Sequence, residues 1–330
     1  MADSRLRLAL GPGGIDLPEG TRIAVVGPGA GYDLSPLGAA DIEVIQPFRP
    51  DHDWFAAQGR SCRTEPQGRY GASLVVVPRA KAQARHWIAM AVAQTDGPVL
   101  IDGQKTDGID SIYRDLRKRA EASAPISKAH GKLFWIEAGA NLVDWRAEPQ
   151  YGPDGFLTAP GVFSADAIDP ASRLLGDALP DAMKGRVADL GGGWGYLSAQ
   201  ILRRSGVLSV DLVEADHVSL TCARANLHDA RVRFHWADAT DWTPPEPVDH
   251  VVMNPPFHSG RAGDPSIGHA FIAAAARILK PNGILWMVAN RHLPYERALG
   301  AAFRDLDTDE RDPKFKIVRA AKPVRKGRIA

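Results

Sequence analysis

Short, mostly apolar runs recur along the first half of the chain, at 22–26, 42–45, 74–77 and 99–101, with Arg22 and Glu43 the polar members. None alternates apolar with polar residues, as a strand wetted on one face would, so they predict strands buried on both sides of a parallel sheet. A helix-like stretch, 80–94, falls between the last two. The second half carries the same grammar more plainly. Helix-like segments at 170–178, 196–204, 217–227 and 265–279 alternate with strand-like runs at 186–190, 209–213, 232–235, 250–253 and 284–289. The last helix meets a stop signal, Lys280-Pro281-Asn282-Gly283, directly before its strand. Alternation of this kind predicts an α/β protein with doubly wound, mostly parallel sheets.

Between 148 and 161 both periodicities fail, because Pro149, Gly152, Pro153, Gly155, Pro160 and Gly161 break either one. A chain of 330 residues also exceeds what one core usually organises. The expected layout is therefore one domain over 1–147, a linker over 148–160 and a second domain over 161–330. Each half contains strand, glycine turn, helix and strand, which suggests two copies of one fold.

Composition narrows the class. With 45% hydrophobic and 24% charged residues the chain is ordinary globular material. Cys62 and Cys222 stand far apart, without neighbours at zinc-ligand spacing, so free thiols in a reducing cytoplasm are expected, with no disulfide framework and no metal. The first residues carry Asp3, Arg5 and Arg7 and do not read as a signal peptide, and no apolar run reaches membrane-spanning length. A net charge of +1 neither demands nor excludes nucleic acid. Local basic clusters exist at Arg114, Arg117, Lys118 and Arg119 and at Lys322, Arg325, Lys326 and Arg328; each reads equally well as a solvated face or tail.

Four motifs in the second half carry chemistry. Asp189-Leu190-Gly191-Gly192-Gly193-Trp194-Gly195 joins a strand to a helix, and its glycines let a ligand approach the backbone. The sixth position from Gly191 is Tyr196 rather than glycine, and Asp189 precedes the turn, where it attracts a cationic ligand end; both features disfavour a dinucleotide. Glu214 closes the next strand, where a carboxylate can accept from both hydroxyls of a ribose. Asp238, in Ala237-Asp238-Ala239, is placed to accept from an adenine amino group, and reads also as a turn acid. The fourth motif, Asn254-Pro255-Pro256-Phe257-His258, is the most specific. Its prolines stiffen the backbone, so the Asn254 side-chain oxygen and the Pro255 carbonyl can both accept from one NH₂ group, and Phe257 offers a face for ring stacking. An amine conjugated to a ring is a poor nucleophile, and two acceptors on its hydrogens favour a pyramidal nitrogen aimed at the methyl donor. His258 can relay the released proton or contact substrate; the second is the simpler reading.

Together these motifs resemble the class I S-adenosylmethionine-dependent methyltransferases, and among them the tandem-domain bacterial ribosomal RNA guanine-N2 methyltransferases. The resemblance extends over Pro160-Gly161-Val162-Phe163-Ser164, Ile168-Asp169, Asn254 to Gly260, Val288-Ala289-Asn290, Leu293-Pro294-Tyr295 and Lys314-Phe315-Lys316 with Val318. It implies two tandem Rossmann-like domains, the N-terminal one degenerate and serving folding and RNA, and the C-terminal one catalytic. It implies S-adenosylmethionine as cofactor, held by Asp189, Gly191, Gly193, Gly195, Glu214 and Asp238, with Phe163 and Asp169 at its methionine end. Catalysis falls to Asn254, Pro255 and Phe257, with His258, Asn290 and Tyr295 on the substrate side. The implied partner is ribosomal RNA or a ribosomal subunit, small in preference to large, without membrane or metal; oligomeric state is left open. Consistent with a degenerate first copy, Gln46 stands where the ribose carboxylate belongs, and Pro78-Arg79-Ala80-Lys81 is expected where the Asn-Pro-Pro-aromatic motif belongs. Gly192 replaces a cysteine common in the family, a change expected to be tolerated because that position contributes backbone. Asn-Pro-Pro-aromatic is shared with adenine-N6 and glutamine-N5 methyltransferases. A glutamine or small-molecule amine methyltransferase therefore stays open, as does a non-catalytic RNA-binding protein with a vestigial pocket.

Overall fold

The computed structural model describes residues 4–17, 20–256 and 265–325. The chain divides into two compact units, 1–149 with 159–161, and 150–158 with 162–330.

The first unit is built on β1 (Arg22–Val26), β2 (Asp41–Ile45), β3 (Ser61–Arg63), β4 (Ala72–Val76), β5 (Val99–Gln104), β6 (Ile126–Lys128) and β7 (Gly131–Ile136), ordered 3-2-1-4-5-7-6. Helices α1 (Arg5–Ala9), α2 (Arg49–Ala56), α3 (Lys81–Gln94) and α4 (Ile109–Leu116) accompany it. A two-stranded hairpin, β8 (Gln150–Tyr151) and β9 (Leu157–Thr158), follows. The second unit contains β10 (Gly185–Leu190), β11 (Val207–Glu214), β12 (Val232–Trp236), β13 (Val248–Met253), β14 (Leu279–Asn290), β15 (Phe303–Asp309) and β16 (Phe315–Pro323). Its order is 12-11-10-13-14-16-15, the first pattern repeated. Its helices are α5 (Pro170–Ala178), α6 (Tyr196–Leu202), α7 (His217–Asn226), α8 (Pro265–Ile278) and α9 (Glu296–Ala302). In both sheets five strands run parallel and the final pair joins antiparallel.

The apolar runs have the predicted cause. Val25, Leu74 and Leu100 pack into one core cluster while their neighbours Val26, Val75 and Ile101 pack into another, so successive residues are buried on opposite sheet faces. Each such side chain contributes about 1.5–3 kcal/mol through burial. The repetition extends to polar detail. Glu43 pairs in register with Ala24, and Asp211 with Ala188. Both acids are buried, and both accept from a base on the third strand: Arg63 Nε at 2.7 Å for Glu43, His235 Nε2 at 2.7 Å for Asp211.

Three details differ from the sequence expectation. The stretch 148–160, read as linker, contains the β8–β9 hairpin, whose residues cluster with the second unit. Strand pairing continues back to Leu279, with an irregular register between Val248 and His250 where Lys280 to Gly283 are accommodated. Third, Val26 pairs with Val75 as Leu190 pairs with Met253, so Val76, not Pro78, stands where Asn254 stands. Val76-Val77-Pro78-Arg79 still offers no side-chain amide. Among the described residues no helix is long and apolar enough to cross a membrane.

Candidate active site

The site is assembled at the carboxyl ends of β10, β11, β12 and β13, where open parallel sheets bind ligands. β10 runs into the turn 191–195, in which Gly191, Gly193 and Gly195 adopt φ of 72°, 55° and 98°. These values are strained for residues with a side chain, which explains why the turn needs glycine at alternate positions. Gly191 N and Gly192 N both donate to the Val213 carbonyl, at 2.9 and 3.1 Å, tying the turn to the neighbouring strand.

Glu214, at the tip of β11, accepts from Gly193 N through Oε2 at 2.8 Å and from Asp216 N through Oε1 at 2.8 Å. Each carboxylate oxygen has two lone pairs, so one acceptor site per oxygen is left for a vicinal diol. Burial pushes its carboxyl up to about 7, against the lowering effect of the backbone donors. Asp189 is wholly buried beneath the turn; Ser198 Oγ donates to its Oδ2 at 2.7 Å, and its Oδ1 has no partner among the described residues. Burial pushes Asp189 up to about 6. A buried, half-satisfied carboxyl of this kind fits a cationic ligand group, which would supply the missing partner. Asp238 lies just beyond β12 and accepts from Thr240 N at 2.8 Å and Thr240 Oγ1 at 2.7 Å, both through Oδ1. It is therefore a turn acid that retains a second oxygen.

Asn254 follows β13 directly. Its Nδ2 donates to Asp169 Oδ2 at 2.9 Å and to Ser172 Oγ at 2.8 Å, while its buried Oδ1 has no partner among the described residues. Pro255 is buried behind it. The amide nitrogen is spent on protein groups and the oxygen is kept in reserve, the arrangement an incoming N–H donor requires.

Residues 154–319 match the family model of the methyltransferase small domain. The chain belongs to that family. Two relatives named ribosomal RNA small subunit methyltransferase C are similar to it. The one from Shewanella sp. (strain MR-4) is 30% identical over 268 residues, spanning 76% of this chain and 77% of its own. The one from Psychromonas ingrahamii is 30% identical over 270 residues, spanning 76% and 75%. Among solved structures, the T. thermophilus 16S rRNA N2 G1207 methyltransferase in complex with AdoMet and guanosine superposes with a TM-score of 0.80 at 25% identity. The match covers 97% of this chain and 92% of that one.

Other residues expected in this methyltransferase's site are placed less centrally. Phe163 is 63% exposed, and its carbonyl accepts from Trp194 Nε1 at 2.8 Å. Asn290 ends β14, with its carbonyl accepting from Leu293 N at 3.0 Å. Tyr295 is fully buried, its ring in the core and its hydroxyl against Gly268, where an added Cβ would lie 2.2 Å away. Phe257 and His258 lie outside the described residues.

Several supporting residues carry no motif of their own. Ser198 donates to Asp189 Oδ2 from the first turn of α6. Asn226 binds the hairpin and the glycine turn together: its Nδ2 donates to the Leu157 and Trp194 carbonyls, each at 2.9 Å, and its Oδ1 accepts from Leu157 N at 2.7 Å. Phe156 packs on Trp194 with ring centroids 5.1 Å apart. Lys316, 2% exposed on β16, donates to the Leu293 carbonyl at 2.8 Å and pairs with Glu296, pinning the segment after Asn290. Ser172, in the first turn of α5 capped by Asp169, carries no sequence signal that marks it as a partner of Asn254.

The first unit has filled the corresponding places. Gln46 Nε2 donates to the Pro28 carbonyl at 2.8 Å, and Gln46 Oε1 accepts from Phe48 N at 2.9 Å. Trp87 lies against Gly27 so closely that a Cβ there would be 2.1 Å from its ring.

Proposed function

We propose that the second unit transfers a methyl group from S-adenosylmethionine to the exocyclic N2 of a guanine in 16S ribosomal RNA. The observation that carries this reading is the Asn254 amide, held by its nitrogen, its buried oxygen without a partner among the described residues, at the strand tip next to the glycine turn. The fit of the cofactor rests on Glu214, whose two oxygens each keep an acceptor site, and on the half-satisfied Asp189 beneath Gly191, Gly193 and Gly195. Asp238 offers its remaining oxygen to the adenine amine, and Phe163 borders the methionine end.

When bound, the cofactor supplies an electrophilic methyl group. The chain's own residues supply position. Asn254 Oδ1 and the Pro255 carbonyl accept from the guanine NH₂, withdrawing its hydrogens from the ring plane and directing the nitrogen lone pair outward. Two fixed acceptors also favour the positive charge that develops on nitrogen during attack. No strong base is required, because the methylated amine loses its proton readily once charged. Phe257 is proposed to stack on the base and His258 and Asn290 to shape the substrate side, with Tyr295 supporting that side from within the core. The second unit is proposed as the catalytic domain and the first as support for folding and RNA binding, in a cytoplasmic enzyme that meets ribosomal RNA or its subunit.

Incubation with methyl-labelled cofactor and either small ribosomal subunits or stripped 16S RNA tests the reading. Label recovered as N2-methylguanosine is expected. Label in protein glutamine, or in no RNA fraction, would reject it.

A further inference from the structure

Asp169 and Ser172 sit at the start of α5, more than eighty residues before Asn254 in the chain, yet both bond its side chain. Asp169 Oδ2 accepts from Ser172 N at 2.8 Å, as a helix cap, and from Asn254 Nδ2 at 2.9 Å. Ser172 is only 8% exposed, and its Oγ accepts from the same Nδ2 at 2.8 Å. One carboxylate oxygen thus serves two donors, and one amide nitrogen is fully used.

These contacts decide which way the amide faces. An asparagine side chain is nearly symmetric in shape, and its two orientations differ only in which end donates. Ser172 alone does not choose between them, since a hydroxyl can donate to Oδ1 or accept from Nδ2. Asp169 does choose, because an ionised carboxylate only accepts and repels an oxygen placed against it. With Nδ2 committed to Asp169, Oδ1 points the other way, and a charge-assisted bond at nitrogen increases the negative charge on that oxygen.

We infer that Asp169, seconded by Ser172, is a positioning residue for the methyl-transfer step: it locks and polarises the Asn254 amide so that Oδ1 meets the amine to be methylated. The inference rests on the reading of Asn254 as the amine acceptor. It assigns Asp169 to the nucleophile side of the reaction, a role distinct from cofactor binding.

Single-turnover and steady-state methylation of 16S RNA are measured for wild type, Asp169→Ala, Asp169→Asn and Ser172→Ala, with cofactor dissociation constants from calorimetry. Asp169→Ala is expected to lower kcat about 10- to 100-fold, the cost of a mispositioned catalytic group, with cofactor affinity within about twofold of wild type. Asp169→Asn keeps a carbonyl oxygen for both donors but no charge, so it should recover most of that loss. Ser172→Ala, which keeps the helix cap, should cost only severalfold. An Asp169→Ala protein with unchanged kcat overturns the inference. So does one whose defect is a raised cofactor dissociation constant, or an Asp169→Asn protein no better than Asp169→Ala at equal thermal midpoint. If the alanine variant does not fold, the Asp169→Asn and Ser172→Ala kcat values decide: wild-type rates in both overturn it. A wild-type enzyme that leaves RNA unmethylated instead rejects the proposed function, a result separable from all of these.

Discussion

Gln46 and Glu214 occupy the same register position, one residue beyond the pairs Val26–Ile45 and Leu190–Val213, but their hydrogen bonds run in different senses. Glu214 accepts twice from backbone N–H groups, whereas Gln46 donates to the Pro28 carbonyl and accepts from Phe48 N. Where the second unit presents a second carboxylate oxygen, the first has an amide donor, and that donor is spent on its own backbone.

Gln46→Glu should therefore not create a second cofactor site. The new carboxylate would face the Pro28 carbonyl, acceptor against acceptor, at a cost of about 1–3 kcal/mol. Calorimetry should still give one cofactor per chain, and urea unfolding a lower stability. Two equivalents per chain would show that the first crevice remains usable.

Glu214→Ala should weaken cofactor binding about 10- to 100-fold, the usual worth of hydrogen bonds to a charged group. Equal affinity in the variant would remove the ribose from this position.

Cofactor affinity should also depend on pH, in a direction fixed by the raised carboxyls. Burial holds Glu214 near 7 and Asp189 near 6, both above the ordinary carboxylate range. In the free protein, the stability linked to these groups is full below that range and is lost as pH rises through about 6 to 7. Ligand binding needs the charged forms, so affinity should rise over the same window and a proton should be taken from the protein on binding below pH 7. Calorimetry in buffers of different ionisation enthalpy reads that proton directly. In Glu214→Gln the dependence should shrink to the Asp189 part, near 6.

Asn254→Ala should lower kcat about 10²- to 10³-fold, as loss of a preorganised polar group does, and leave the cofactor dissociation constant within about twofold. Rapid-quench methylation beside equilibrium binding separates the two. A variant that keeps its turnover would sink the proposed chemistry.

Gly192→Ala should destabilise by about 1–3 kcal/mol through overpacking. The backbone at Gly192 is not left-handed, so space alone is at issue: a Cβ would meet Leu212 Cγ at 2.6 Å. Replacing Leu212 with the shorter valine should return part of the loss, as thermal melts of the pair would report.

The strands at the centre of each sheet were legible because burial on both faces writes a mostly apolar run, as in β1 and β4 and, around their acids, in β10 and β13. The edges were not. β15 buries only Phe303 at its start, and β3 and β6 bury no residue, so solvent on both sides erased the pattern that would have marked them. The hairpin hid for another reason. Its turn is made of Gly152, Pro153, Asp154 and Gly155, with Gly152 N donating to the Phe156 carbonyl at 2.8 Å, and turn residues in a row read as linker. Within the site, Asp189, Glu214 and Asn254 were readable because each ends a strand in a local motif. Ser172 and Ser198 were not, since each earns its place through a side-chain bond to a residue that only folding brings near.

The interleaving of the chain has a practical consequence. Residues 150–158 belong with the second unit, 159–161 with the first, and the chain then returns to the second. No single peptide-bond cut divides the two copies along their natural border. A break at 149 leaves the N-terminal piece without its last three residues, and a break at 161 strips the second copy of the hairpin that Asn226 ties to the glycine turn. The two copies are spliced rather than strung, so a gene fission at either point would leave one product incomplete.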